Sequence, residues 1–187
     1  MPGKLIKERG TKMSEFLQLA KTRYSTRKYL ERPVEQEKLS AILEAGRVAP
    51  TACNNQPQRL LVIKEQEGLH KLAQTTTFFQ APLAIVVCVN HDETWKRDYD
   101  HKDIADVDAT IVTDHMILQA TALGLQSVWI CRFDPVRMRE LFHIPDNIEP
   151  VNILAIGYEA GEGKSADRHA DLRKPLEETV VYESFHS

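Results

Sequence analysis

Apolar residues recur along the chain with two periods, and the switches between them outline the elements. From Ser14, a residue able to cap a helix, Phe16, Leu17 and Ala20 recur at helical spacing. That helix is expected to stop near Lys21 to Tyr24, before an extended stretch over Lys28 to Pro33. A second helix follows Pro33, with Leu39, Ile42, Leu43 and Gly46 on one face and Glu35 and Glu37 in its first turn. Strands are predicted at Leu60 to Lys64, Leu83 to Asn90, Gln126 to Cys131 and Val151 to Gly157. The second of these is a nearly unbroken apolar run, the pattern of a strand covered on both faces. Short helices are expected around Gly68 to Ala73 and after the Asp134-Pro135 pair.

The longest helix is predicted from Asp103 to Leu123, with Gly124 as its C-cap. Its stripe of Ile104, Val107, Ile111, Leu118 and Ala122 is widened by Val112, Met116, Ala120 and Leu123. So broad an apolar surface asks for burial on more than one side, as at a subunit interface. Thr179 to Tyr182 reads as a last strand-like piece. The order gives an α+β fold, with a flexible arm over residues 1–13 and a single domain over residues 14–187.

Composition narrows the function classes. The chain has 187 residues, 24 Lys and Arg against 27 Asp and Glu, and a formal charge of −3. It lacks the basic excess of a nucleic-acid binder. No apolar run approaches the ~20 residues of a membrane span, and no apolar stretch follows the basic N-terminus as in a secretory signal. Three isolated cysteines, Cys53, Cys88 and Cys131, suit a reducing compartment, so a cytoplasmic protein is expected. The 8 glycines frame neither GxGxxG nor GxxxxGK[ST], so any bound phosphate must be held by side chains. The seven histidines include no His-x-x-x-His or His-Glu-x-x-His, and no metal site is expected.

Three stretches carry candidate chemistry. In an extended segment Arg23, Ser25 and Arg27 share one face, and two guanidinium forks around a hydroxyl can clamp an oxyanion or phosphate. The same spacing also suits a solvated basic patch. The Pro50 to Pro57 loop offers many small donors and acceptors to a planar ligand, or is simply a turn rich in turn formers. Arg173 and Lys174 could complete a phosphate clamp or be solvated. The charged and aromatic segment His91 to Asp100 reads either as a flap or as a solvated connection.

The ordered set of motifs resembles the FMN-dependent nitroreductase family. Arg23-Tyr24-Ser25-Thr26-Arg27 with Pro33-Val34 is similar to its opening signature, and Ala49-Pro50-Thr51-Ala52-Cys53-Asn54-Asn55-Gln56-Pro57 to its Ala-Pro-Ser-x-x-Asn-x-Gln-Pro loop. Leu123-Gly124-Leu125, Val128-Trp129-Ile130, Phe133-Asp134, Ile156-Gly157-Tyr158 and Arg173 to Glu178 extend the likeness to most of the chain. The resemblance implies a nitroreductase-like fold, a central mixed and largely antiparallel sheet flanked by helices, in an interlocked homodimer with FMN at the interface. Arg23, Tyr24, Ser25 and Arg27 would hold the flavin from one subunit, Arg23 and Ser25 towards the phosphate and Arg27 near the N1/O2 edge. Arg173 would join at the phosphate, with Cys131 and Arg132 beside the ring. Pro50, Thr51, Ala52 and Asn54 would come from the partner. NADH or NADPH would reduce the flavin and a nitroaromatic, quinone or similar acceptor would reoxidise it in a ping-pong cycle. A flavin-storage protein, or a dehalogenating or dehydrogenating relative, remains the alternative. Gln58, Gln126, Arg132 and Asp171 depart from the family pattern.

Overall fold

A computed structural model describes residues 13–185, so the arm expected at the N-terminus lies almost wholly outside the described residues. Helix α1 (Glu15–Thr22) is capped by Ser14, whose side chain accepts from the Leu17 N–H at 3.2 Å. Helix α2 (Gln36–Arg47) is followed by a 3-10 turn over Ala52–Asn54, strand β1 (Gln58–Ile63), helix α3 (Gln66–Ala73) and strand β2 (Leu83–Asn90). The long helix α4 (Ala105–Ala122), strand β3 (Gln126–Ile130), helix α5 (Pro135–Phe142), strand β4 (Ile148–Gly157) and the short helix α6 (His169–Leu172) complete the order. Asp134 caps α5 by accepting from the Arg137 N–H at 2.9 Å, and Gly124 leaves α4 at φ +75°, where glycine meets no steric penalty. Among the described residues no helix is long and apolar enough to cross a membrane.

The strands form one sheet in the order β1-β2-β4-β3, and all three pairings are antiparallel. A single parallel bridge, Ser25 to Ser127, sets the segment after α1 beside the start of β3. All eight residues of β2 are buried, and their alternation divides the core. Leu83, Ile85, Val87 and Val89 pack with Leu154 and Ile156 against α2 and α4. Ala84, Val86 and Cys88 pack with Ile153 and Ala155 against Leu69, Leu72 and Met138 of α3 and α5. Burial pushes the Cys88 thiol up to about 12, so it stays a neutral core residue. The register of β2 against β4 slips between Val87 and Cys88, beside Pro150, which has no N–H to give the ladder.

The α4 stripes divide as their widths suggested. Val112, Met116 and Ala120 are buried inward, whereas Ile111 and Leu118 are only partly covered and Val107 is exposed. Close contact of α2 with α4 depends on Gly46, where a Cβ would sit 3.0 Å from the Met116 side chain. The strand expected over Thr179 to Tyr182 is absent: that segment is irregular and exposed, with no sheet edge of its own chain beside it. Apolar alternation alone cannot make a strand, which needs a neighbour for its backbone groups.

The segment at His91 to Asp100 is a hairpin-like loop. Lys96 bridges Asp103, the Arg97 N–H donates to the Lys102 carbonyl at 3.0 Å, and Tyr99 at its tip is 98% exposed. Its base is held by His91, with Nδ1 3.2 Å from Asp103 and Nε2 2.5 Å from Glu149. A ring facing a carboxylate from each nitrogen is satisfied only as the imidazolium. The Glu149 hydrogen bond above all raises the His91 pKa; burial opposes this and Asp103 adds to it.

Two predictions follow from this packing. A Cβ at Gly157 would lie 2.7 Å from the Pro82 ring and 3.0 Å from the Tyr29 ring. Gly157→Ala should therefore lower stability by about 1–3 kcal/mol in urea unfolding, as overpacking does. The His91 contribution is fully present below the unfolded histidine value of about 6.5 and is lost as pH rises through the higher folded value. Amide protection of residues 94–104 should be greater near pH ~6 than near pH ~8.5, and His91→Gln should abolish the difference.

Candidate flavin site

The segment after α1 is extended because the sheet holds it. The Thr26 N–H donates to the Ser127 carbonyl at 3.0 Å, the Leu30 N–H to the Tyr158 carbonyl at 2.9 Å and the Ala160 N–H to the Lys28 carbonyl at 3.0 Å. Tyr29 hydrogen-bonds through its hydroxyl to the Thr26 and Ala155 carbonyls, and burial raises its pKa. Tyr24 and Thr26 are buried while Arg23 and Ser25 are partly exposed and Arg27 is exposed, which is the alternation the clamp requires.

Arg23 does not stand alone. Its pKa is lowered, first by burial and then by the guanidiniums of Arg168 and Arg173, with Asp114 offsetting part of this. Arg173 thus comes from the far end of the chain close enough to Arg23 for their charges to interact. Arg168 carries no motif and is invisible to sequence reasoning. Its guanidinium donates to the carbonyls of Lys21 (3.0 Å), Arg23 (2.6 Å) and Ser165 (2.7 Å), and so fixes the end of α1. The Tyr24 ring lies under both Arg168 (5.5 Å) and Lys164 (5.8 Å), and its hydroxyl donates to Glu159. Among the described residues neither Arg23, Arg27, Arg168 nor Arg173 pairs with a carboxylate.

Arg27, Cys131 and Arg132 line one cleft of about 670 Å³, together with Trp129, Thr76 and Phe79. Arg27 lies 5.7 Å from the Phe79 ring centre, and the Thr76 hydroxyl donates to the Arg132 carbonyl at 2.7 Å. The cleft is walled by a threonine run, residues 75–77, which lies between the elements that the apolar pattern marks.

Pro50, Thr51, Ala52 and Asn54 do not line this cleft. Their loop projects elsewhere on the surface, with Pro50 and residues 53–56 exposed. It is tightly folded: the Gln56 N–H donates to Thr51 Oγ1 at 3.0 Å, and Cys53, Asn54 and Gln56 take φ of 51°, 57° and 54°. The Ala52 N–H donates to Oδ1 of Asp108, a buried α4 carboxylate, at 2.9 Å. A charge on the inner face of an apolar helix was the signal available for Asp108.

Known proteins place this architecture. A solved nitroreductase family protein from Clostridium difficile is 52% identical, with a TM-score of 0.90 over 92% of this chain and 100% of its own. A second structure from Clostridium difficile, described as an FMN-dependent nitroreductase, is 31% identical, with a TM-score of 0.76 over 89% of this chain and 98% of that one. A Bacillus subtilis protein named FMN reductase [NAD(P)H] is 26% identical over 190 residues, spanning 91% of this chain and 74% of its own length. The model of the nitroreductase family matches residues 20–77 and 67–158. With its α+β nitroreductase fold and its ordered motifs, the chain belongs to the nitroreductase family.

Proposed function

We propose that the chain is an FMN-dependent oxidoreductase that uses NADH or NADPH to reduce a nitroaromatic, quinone or similar small acceptor in a ping-pong cycle. The observation that carries the reading is the crowding of Arg168 and Arg173 about a partly buried Arg23, whose pKa is lowered first by burial and then by those two charges. None of the three forms an ion pair among the described residues. Gathering cations with Asp114 offsetting only part of their repulsion is costly on its own and favourable around a phosphate. The donor set therefore fits FMN.

Arg23, Ser25 and Arg173 would hold the phosphate, and Tyr24 would back the clamp from inside. Arg27, permanently charged and steadied against Phe79, would face the flavin edge that gains negative charge on reduction. Backbone at Cys131 and Arg132, tied down by Thr76, would border the ring. FMN, when bound, supplies the hydride and electron transfer itself, so no side chain need act as base or nucleophile.

The remaining expected contacts, from Pro50, Thr51, Ala52 and Asn54, would come from a second copy of the chain. Its docking face is the groove of about 760 Å³ between α1, α2 and α4, lined by Phe16, Leu19, Ala41, Val48 and Leu118. Phe16 and Val48, both well exposed, join Leu118 in one contiguous apolar groove.

Purified protein should carry yellow FMN that bleaches on anaerobic addition of NADH or NADPH. Persistent colour would instead favour storage, and failure to take up FMN would sink both readings. Arg23→Ala should weaken FMN binding about 10- to 100-fold, the loss of one charge-assisted bond, while Lys28→Ala changes it little. Equal affinities in a fluorescence-quenching titration would count against the clamp. Leu118→Glu should turn a dimer into a monomer in sedimentation and lower FMN occupancy; a monomeric native chain would refute the shared site.

A further inference from the structure

The loop over residues 51–56 carries three non-glycine residues in the left-handed region within four positions, Cys53, Asn54 and Gln56. Such backbone persists only where its surroundings over-determine it. Its ties to the rest of the chain are few. Asn55 Nδ2 donates to the Glu93 carbonyl at 3.0 Å and Arg59 reaches the Gln56 carbonyl at 3.4 Å, both at exposed sites. The remaining tie is from within: Asp108, 1% exposed, accepts the Ala52 N–H at 2.9 Å.

Asp108 is a poor choice for packing. Its helical neighbours on the inner face are Ala105, Ala109 and Val112, all core residues, and its Oδ2 is buried with no partner among the described residues. A buried carboxylate making one hydrogen bond gives up more hydration than it regains, and an apolar residue of similar volume would suit the core better. What the side chain does provide is an acceptor oxygen for one backbone N–H at the entry to the strained turn. Gripped at Ala52, the turn closes with the Asn54 N–H on the Thr51 carbonyl and the Gln56 N–H on Thr51 Oγ1.

We propose that Asp108 is a positioning residue for flavin binding: it fixes the loop at Ala52 so that Thr51, Ala52 and Asn54 meet the flavin in one geometry. This rests on the reading of the loop as part of an FMN site. In a dimer that shares its sites, the Asp108 of each subunit would set the half-site it lends to the other. The α4 helix that carries Asp108 also presents Leu118 to the proposed interface, so docking and loop geometry are set by one rigid element.

The test compares Asp108→Ala, which removes the acceptor, with Asp108→Asn, which keeps an oxygen in its place. Full-length dimer is used, with FMN added or withheld. In Asp108→Ala the Ala52 amide should exchange at least ~10-fold faster without FMN, and the FMN Kd should rise at least ~10-fold with a changed visible flavin band. Asp108→Asn should return both to within about threefold of native. Should Asp108→Ala not fold, Asp108→Ser, small and polar but too short to reach Ala52, replaces it in the comparison. A lowered melting temperature with unaltered Ala52 exchange, or with native FMN affinity and spectrum, would make Asp108 merely structural and overturn the proposal. A native chain that takes up no FMN would overturn the flavin reading itself, and the loop's ligand with it. Mixing Asp108→Ala with Arg23→Ala subunits adds a further check, since lending across the dimer leaves one fully native site in each mixed dimer. Two impaired sites per mixed dimer would place the loop in its own subunit's site and overturn the lending.

Discussion

Every residue of β2 is buried, so each of its backbone groups must find a partner within the sheet, and β1 and β4 provide them on either side. That requirement sets the register, and the register sorts alternate side chains to two cores, one under α2 and α4 and the other under α3 and α5. The rest of the architecture inherits its position from this pair. Past the end of β4, Tyr158 and Ala160 receive the incoming segment at Leu30 and Lys28, while β3, on the far side of β4, receives Thr26. The cationic residues near the N-terminus therefore stand on the most constrained part of the molecule, although they lie in a segment that is neither helix nor strand.

The electrostatics follow from that rigidity. Flexible arginines would relax apart and take up solvent or stray carboxylates. Here the Arg168 fork is committed to three carbonyls and lies over the Tyr24 ring, so its charge stays beside Arg23. Where the chain pairs its arginines, as in Arg47 with Glu44 and Arg32 with Glu35, the pairs do not include the arginines of the clamp. A second such cluster, Tyr158 with Glu35 and Lys38 beneath Arg32, is fully partnered. There Glu35, partly exposed, falls to about 2 chiefly through the Tyr158 hydrogen bond. The two clusters differ in that one pairs its charges with a carboxylate, while in the other no arginine forms an ion pair among the described residues.

Much of this was legible in the residues, for identifiable reasons. Leu83 to Asn90 announced itself because a strand covered on both faces needs no polar alternation, and Ser14, Asp134 and Gly124 marked helix ends by local chemistry that tertiary structure did not override. Strand starts were less legible: β1 begins at Gln58 and β4 at Ile148, extended by pairing rather than by side-chain polarity. Thr179 to Tyr182 had the pattern of a strand and no neighbour. In the site, Arg23 to Arg27 stood out by spacing and Arg173 by likeness. Arg168 could not, because it acts through carbonyls that any sequence possesses.

The bond from Arg168 to the Arg23 carbonyl joins residues 145 positions apart. During synthesis the first arginines emerge early, but the groups that crowd and orient them emerge only after the whole sheet. A ribosome-bound chain thus cannot bring Arg168 and Arg173 to Arg23 until its later segment is free to fold back. The last fastening of the extended arginine segment is made by a residue that emerges after the whole sheet, so the early arginines reach their final setting only late in folding.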